Sequence, residues 1–358
     1  MPDTPFLAVD TARLDRNLAT VAERVRAAGL DLRPHAKTHK CAEIAARQID
    51  SGATGLTVAT IGEAEAFAAA SPGRADLFIA YPLWVTPGKG ARLRALAERA
   101  ALRVAVDSAA GARQLAAELH DTGVTVLVEV DSGQHRTGVA PAAAGEIAAA
   151  AAELGLEVIG VFTFPGHGYG LGDARRTAAE QEVTALTEAA ESLRDNGIEP
   201  RVRSGGSTPT IAFAEAGVLT EVRPGVYPFN DAQQVELGSG DFADVALTAV
   251  STVVHRTGSR VVVDAGSKVI GADRPAWVTG FGRLLDHPRA RIVGLSEHHA
   301  VIEFGDDAPA QSIPDPGSVL RVVPNHVCTA VNLVDDLIAE YPDGSTQRWP
   351  VIARGANS

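Results

Sequence analysis

From about residue 12 to residue 230, Ala-rich segments whose apolar positions recur at helical spacing alternate with short apolar and β-branched runs. The runs that read as strands are 30–35, 55–59, 76–80, 102–107, 124–131, 158–164, 201–205 and 221–227. Eight such strands separated by helices predict a closed (β/α)8 TIM-type barrel. A doubly wound sheet more often shows fewer strands and a GxGxxG turn after the first, and no such turn follows here. After about residue 240 the texture changes: VALTAVSTVVHR, SRVVVDAG, HAVIEFG and SVLRVVP read as strands joined by turns, with little helix. The expected organisation is an α/β barrel over 12–235 followed by a smaller, mainly β domain over 236–358. Residues 1–11 join the β domain, because the apolar run 6–9 comes too early for a barrel strand and is expected to pair there. The Ala runs at 143–152 and 185–190 are helix formers.

Composition narrows the function classes. With 358 residues the chain has ample core, and its net charge of -12 offers no basic field for nucleic acid or an anionic membrane. A small-molecule substrate is the expectation. The start of the chain, MPDTPFLAVD, has no basic stretch leading into an apolar run, and no apolar segment is long enough to span a bilayer, so a cytoplasmic location is expected. The two cysteines, Cys41 and Cys328, are read as thiols, Cys41 as a small core residue.

In a TIM barrel the reacting groups stand at the C-terminal ends of the strands. After the first strand, PHAKTHK places Lys37 just past the apolar run, flanked by His35, His39 and Lys40. Nearby positive charge and partial burial favour a neutral amine able to form a Schiff base. After the fifth, EVDSGQHRTG offers Arg136 to an anionic oxygen, or to Glu129 or Asp131. After the sixth, FPGHGYG places His167 and Tyr169 in a glycine-rich loop that can approach a planar ligand. After the seventh, SGGSTPT supplies Gly205, Gly206, Ser207 and Thr208 ahead of an expected helix, a phosphate cradle of backbone N–H groups and hydroxyls. After the eighth, RPGVYPFND brings the backbone close again at Gly225 and Val226, with Tyr227 beside them. Two adjacent cradles and a lysine across the mouth fit pyridoxal 5′-phosphate (PLP). In the β domain, PNHVCTAVNL sets His326 and Cys328 two apart, on one side of an expected extended strand. Imidazole with thiolate favours zinc over a hard cation, with manganese or magnesium as the other choices.

Taken in order, PHAKTHK, DSGQHRTG, GHGY, SGGSTPT, EVRPGVYPFND, VVVDAGSK and PNHVCTAVNL resemble the D-threonine aldolase and D-serine dehydratase family, fold-type III PLP enzymes with the alanine-racemase architecture. The resemblance covers nearly the whole chain. It implies a homodimer acting on D-configured β-hydroxy amino acids, with Lys37 as the Schiff-base lysine, Arg136 on the cofactor's phenolic oxygen and Tyr169 near the imine. It implies further that Gly205, Gly206, Ser207, Thr208, Gly225 and Val226 form the phosphate cup and that His326 and Cys328 hold a metal beside the substrate hydroxyl. Arg223 stands where alanine racemases set an arginine against the pyridine nitrogen. Tyr227, Asp231, His298 and His299 are supporting candidates without assigned roles.

Members of the aldolase type more often carry Asp than Cys as the second metal ligand, so Cys328 turns the expectation towards a dehydratase that yields a 2-oxo acid and ammonia. The alternative is a D-threonine aldolase yielding glycine and an aldehyde. Racemisation ranks lower, since it needs acid–base groups on both faces of the cofactor and no second-face tyrosine is evident in the β domain. A non-catalytic PLP-binding protein of the same barrel type would have no β domain and no use for the His326/Cys328 pair.

Overall fold

The computed structural model describes residues 2–73, 75–214, 216–305 and 308–358. The chain opens with β1 (Phe6–Asp10) and α1 (Thr11–Ala27). It then runs through β2 (Asp31–Leu32), α2 (Ala42–Asp50), β3 (Leu56–Val58), α3 (Ile61–Ala70), β4 (Asp76–Pro82), α4 (Pro87–Ala97), β5 (Ala101–Val106) and α5 (Ala109–Leu119). There follow β6 (Thr125–Glu129), α6 (Ala144–Glu153), β7 (Glu157–Phe162), α7 (Ala174–Asp195), β8 (Val202–Gly205), β9 (Glu221–Val222) and α8 (Ala232–Leu237). The remainder comprises β10 (Leu247–Thr257), β11 (Arg260–Val263), α9 (Ser267–Ile270), β12 (Gly282–Leu284), β13 (Arg291–Leu295), β14 (Ala300–Glu303), β15 (Val319–Pro324), α10 (Val327–Asn332), β16 (Asp336–Glu340) and β17 (Thr346–Pro350).

Two compact units result. One comprises Thr20–Lys37, Ala45–Gly225 and Gly355–Ser358; the other comprises Met1–Ala19, Thr38–Ile44 and Val226–Arg354. In the first, β2 to β9 form one parallel sheet in the order β2-β9-β8-β7-β6-β5-β4-β3. A parallel bridge between His35 and Thr57 joins its two ends, so the expected TIM-type barrel is present. Its strands are apolar because both faces are covered: Phe78, Ala105, Leu127, Ile159 and Phe162 pack together inside. Helix starts follow local chemistry. Thr60, Thr86 and Ser108 cap α3, α4 and α5 by accepting the N–H of Glu63, Lys89 and Gly111. At Gly145 any side chain would strike the backbone of Ser192, so α6 and α7 pack closely only with glycine there.

Two expected strands are shorter than the apolar runs suggest. The run 30–35 yields β2 over two residues, and 221–227 yields β9 over two. Pro34 and Pro224 lack the N–H that a continuing ladder needs. The helix expected after SGGSTPT is also absent, replaced by a turn and the single 3-10 turn Ile211–Phe213. Thr210 Oγ1 takes the Ser207 N–H at 2.9 Å, a local side-chain bond that closes a turn in place of a helical ladder.

The second unit is mainly β, as expected. Its long strand β10 pairs with β1, β11 and β15, all antiparallel. The early strand β1 lies between β10 and β16 and is parallel to the latter. Among the described residues no helix is long and apolar enough to cross a membrane.

Candidate active site

In the barrel unit three expected site residues converge on one ring. Lys37, in the single 3-10 turn Ala36–Thr38 after β2, holds Nζ 5.7 Å from the centroid of Phe164. The Arg136 guanidinium stands 5.3 Å from the same centroid, and the Tyr169 ring lies 6.4 Å away, tilted by 43°. Phe164 read in the sequence only as the end of a strand. His167 in the same loop pairs Nε2 with Gln181 Oε1 at 2.8 Å, while its buried Nδ1 has no partner.

At the end of β8, Ser207 and Thr208 are buried hydroxyls. Gly206 takes a left-handed φ of +75°, which favours glycine. Its N–H is committed to Glu182 Oε1 of α7 at 2.7 Å, a residue whose sequence surroundings show only helix. The Gly205 carbonyl accepts the Arg223 N–H at 2.8 Å, which ties the loop to the end of β9. Gly225 belongs to this unit, whereas Val226 and Tyr227, buried, open the turn Val226–Phe229 of the other.

Beneath the mouth, Arg223 is buried against the Phe78 and Phe162 rings, 5.7 and 5.3 Å from their centroids. It donates through Nε to Ser204 Oγ at 2.8 Å and through Nη2 to the Thr163 carbonyl. Glu129, at the end of β6, accepts from Thr137 Oγ1 through Oε1, while its buried Oε2 has no partner. Burial pushes the Glu129 and Glu182 carboxyls up to about 7 each. Asp131 is paired with His135 at 2.7 Å.

A primary amine, an arginine and a hydroxyl-bearing loop with two glycines match the aldehyde, phenolic oxygen and phosphate of PLP, so the residues present fit that cofactor.

In the β unit, His326 and Cys328 are not on a strand. β15 stops at Pro324; His326 is the extended N-cap of α10, and Cys328 is the second residue of that helix. The two side chains are hydrogen-bonded all the same. His326 Nδ1 meets Asp273 Oδ2 at 2.5 Å, and Thr329 Oγ1 donates to the same carboxylate oxygen at 2.7 Å. Asp273 is a site residue that no local sequence signal marks. Burial opposes charge on the His326 ring, but the neighbouring Cys328 sulfur and the Asp273 carboxylate outweigh it and hold the ring at about 11. Cys328 Sγ donates to Thr38 Oγ1 at 3.2 Å, and Thr38 follows Lys37 in the chain. Asp231 N-caps α8 and accepts the Val327 N–H at 3.1 Å, its burial pushing the carboxyl up to about 6. His298 and His299 are exposed.

An imidazole and a thiol side by side, with a carboxylate on the far ring nitrogen, make a donor set that suits zinc. Among the described residues no group of three or more His, Cys, Asp or Glu side chains is arranged to hold a metal.

Residues 9–232 match the alanine racemase N-terminal domain, and 246–339 match a putative serine dehydratase domain. The chain belongs to the alanine racemase N-terminal domain family. Among members, the D-threo-3-hydroxyaspartate dehydratase of Delftia sp. (strain HT23) is 35% identical over 97% of this chain and 96% of its own. The D-threonine aldolase of Arthrobacter sp is 34% identical over 99% of this chain and 93% of its own. The solved Delftia dehydratase superposes with a TM-score of 0.90 at 33% identity, covering 98% of this chain and 97% of its own. A cysteine-to-alanine mutant of a D-threo-3-hydroxyaspartate dehydratase, solved in a metal-free form, superposes with the same TM-score of 0.90 at 33% identity. The first match falls mostly on the barrel unit and the second within the mainly β unit.

Proposed function

We propose that this protein is a PLP- and metal-dependent lyase acting on D-configured β-hydroxy amino acids, a dehydratase that releases a 2-oxo acid and ammonia. The observation that carries the reading is the convergence of Lys37, Arg136 and Tyr169 around Phe164, in the unit that also holds the Ser207/Thr208 loop. When bound, PLP supplies an aldehyde that captures amines and a ring that takes up the electrons left at Cα. Lys37 would hold the cofactor through its amine and would serve as the base that removes the Cα proton. Arg136 binds the phenolic oxygen and Tyr169 orients the group near the lysine. Ser207 and Thr208, with Gly225 and Val226, bind the phosphate.

His326 and Cys328 would hold the metal, zinc by the softness of the sulfur, and the metal would supply Lewis-acid stabilisation to the departing β-hydroxyl. Asp273 fixes which ring nitrogen of His326 is left for it. Cys328 itself supports the dehydratase over the aldolase reading, as do the dehydratase among the relatives and the metal-free cysteine mutant of such an enzyme. The aldolase reading draws on the Arthrobacter relative.

The test is product analysis after the PLP-loaded, zinc-supplemented protein is incubated separately with D-serine, D-threonine and D-threo-3-hydroxyaspartate. A 2-oxo acid and ammonia in equal amounts establishes elimination. Glycine with an aldehyde establishes retro-aldol cleavage and overturns the dehydratase assignment.

A further inference from the structure

We propose that Glu182 is a positioning residue of the phosphate loop, and that it meets a bound phosphate as a neutral acid, so that above neutral pH phosphate binding is accompanied by proton uptake. This rests on the reading of 205–208 as the phosphate loop.

Glu182 stands in the middle of α7 and is 2% exposed. Its Oε1 accepts the Gly206 N–H at 2.7 Å. A side chain at Gly205 would collide with the same carboxyl, which therefore lies close against the loop there. Gly206, next to it, turns through its left-handed φ of +75°. The N–H of Ser207 goes to Thr210 Oγ1, so both the 206 and 207 amides are held by protein acceptors. What Glu182 contributes is thus the shape of the loop, anchored to the helix behind it.

The same contact sets an electrostatic condition. A carboxylate touching this loop in a water-excluded layer would repel an incoming phosphate dianion, whereas a neutral carboxyl keeps the Gly206 bond without the repulsion. Among the described residues Arg223 is the charged group that acts on Glu182, and Arg223 is faced as well by Glu221 and Glu129. One guanidinium shared in this way does not hold Glu182 ionised: its burial places the carboxyl at about 7, where the proton is readily gained. An arriving phosphate shifts that balance further towards the acid.

Pyridoxamine 5′-phosphate is the probe, because it carries the phosphate but no aldehyde for Lys37. It is titrated calorimetrically into the full-length apoprotein from about pH 6 to about pH 9, in buffers of differing ionisation enthalpy. Wild type is expected to take up about one proton more than Glu182→Gln near pH 8, and to lose affinity about tenfold more per pH unit above neutrality. At the lowest pH the two should bind within about threefold of each other, while Glu182→Ala, lacking the acceptor, should bind about tenfold more weakly throughout. Equal proton uptake and parallel profiles in wild type and Glu182→Gln would overturn the proposal, and that comparison decides even where Glu182→Ala fails to fold. Thr208→Val separates the two levels. If it leaves probe binding unchanged, or wild type does not bind the probe, the loop assignment falls and this inference with it. If it weakens binding while Glu182→Gln tracks wild type, only the role of Glu182 is lost.

Discussion

Arg223 Nε donates to Ser204 Oγ at 2.8 Å, and both residues are buried. Ser204 in turn donates to Glu221 Oε1 at 2.7 Å, and Glu221 Oε2 receives Arg33 Nε at 2.7 Å. Arg33 also grips Asp76 through both terminal nitrogens, at 2.9 and 3.1 Å. A chain of charge-assisted bonds therefore crosses the barrel from the start of its strands to the arginine beneath its mouth.

Removing the middle of that chain should cost stability. Ser204→Ala leaves Arg223 Nε and one Glu221 oxygen short of a partner, a loss of about 1–3 kcal/mol. Glu221→Gln should cost more, about 3–5 kcal/mol, because buried Arg33 is then left with Asp76 as its ionic partner and Arg103 loses the Glu221 charge. Burial alone would push the Glu221 carboxyl up, but Arg33 and Arg103 outweigh it and hold it below the usual range. Its stabilising contribution is then full above the ordinary carboxyl range and is lost as pH falls through the lowered folded value. Denaturant midpoints of the two variants near neutral pH and near pH 4 check both statements; unchanged midpoints would mean that the network is energetically idle.

Glu129 predicts the opposite pH trend. Burial holds its carboxyl at about 7 in the folded chain, so between about 4.5 and 7 the unfolded state ionises first and folding loses stability as pH rises. Glu129→Gln removes this penalty. The variant should gain about 1–3 kcal/mol on wild type between pH 5 and pH 8. Thermal unfolding at the two pH values measures the difference, and a gain of the same size at both would exclude titration of Glu129 as its source.

Lys37 carries the cofactor assignment. Lys37→Ala should abolish the visible absorption that PLP gains on binding to a lysine, and should do so without a large change in unfolding temperature. A retained band with unchanged pH behaviour would point to a different lysine, and Lys40, whose Nζ donates to Asn332 Oδ1 at 2.8 Å, is then the next to replace.

The barrel was legible because its strands are covered on both faces and so appear as continuous apolar runs, whose centres the structure keeps. Their ends were less legible: Pro34 and Pro224 cut ladders that hydrophobicity alone would extend. Spacing brought His326 and Cys328 together by the wrong route. Two residues apart suits one face of a strand, yet the structure joins them across a helix start, a change set by Pro324 and by the N-cap geometry of His326. Asp273, Glu182 and Phe164 carried no local signal. Each acts on a residue distant in sequence, Asp273 on His326 and Glu182 on Gly206, and only tertiary packing brings such pairs together.

Asp273 offers the sharpest test of the metal reading, because it touches the histidine and not the proposed ion. Its Oδ2 takes the His326 Nδ1–H and the Thr329 hydroxyl together, so the ring is fixed with Nε2 as the remaining ligand atom. Asp273→Ala should lower zinc affinity by about 10–100-fold, the usual effect of losing such an outer carboxylate. Asp273→Asn should fall between, since its amide oxygen can still accept from Nδ1. Cys328→Ala should remove bound zinc and lyase activity while PLP stays bound. Competition with a chromophoric chelator gives the zinc affinities and the visible band reports PLP. Full activity after complete metal removal would end the argument that a metal at His326 and Cys328 assists departure of the hydroxyl.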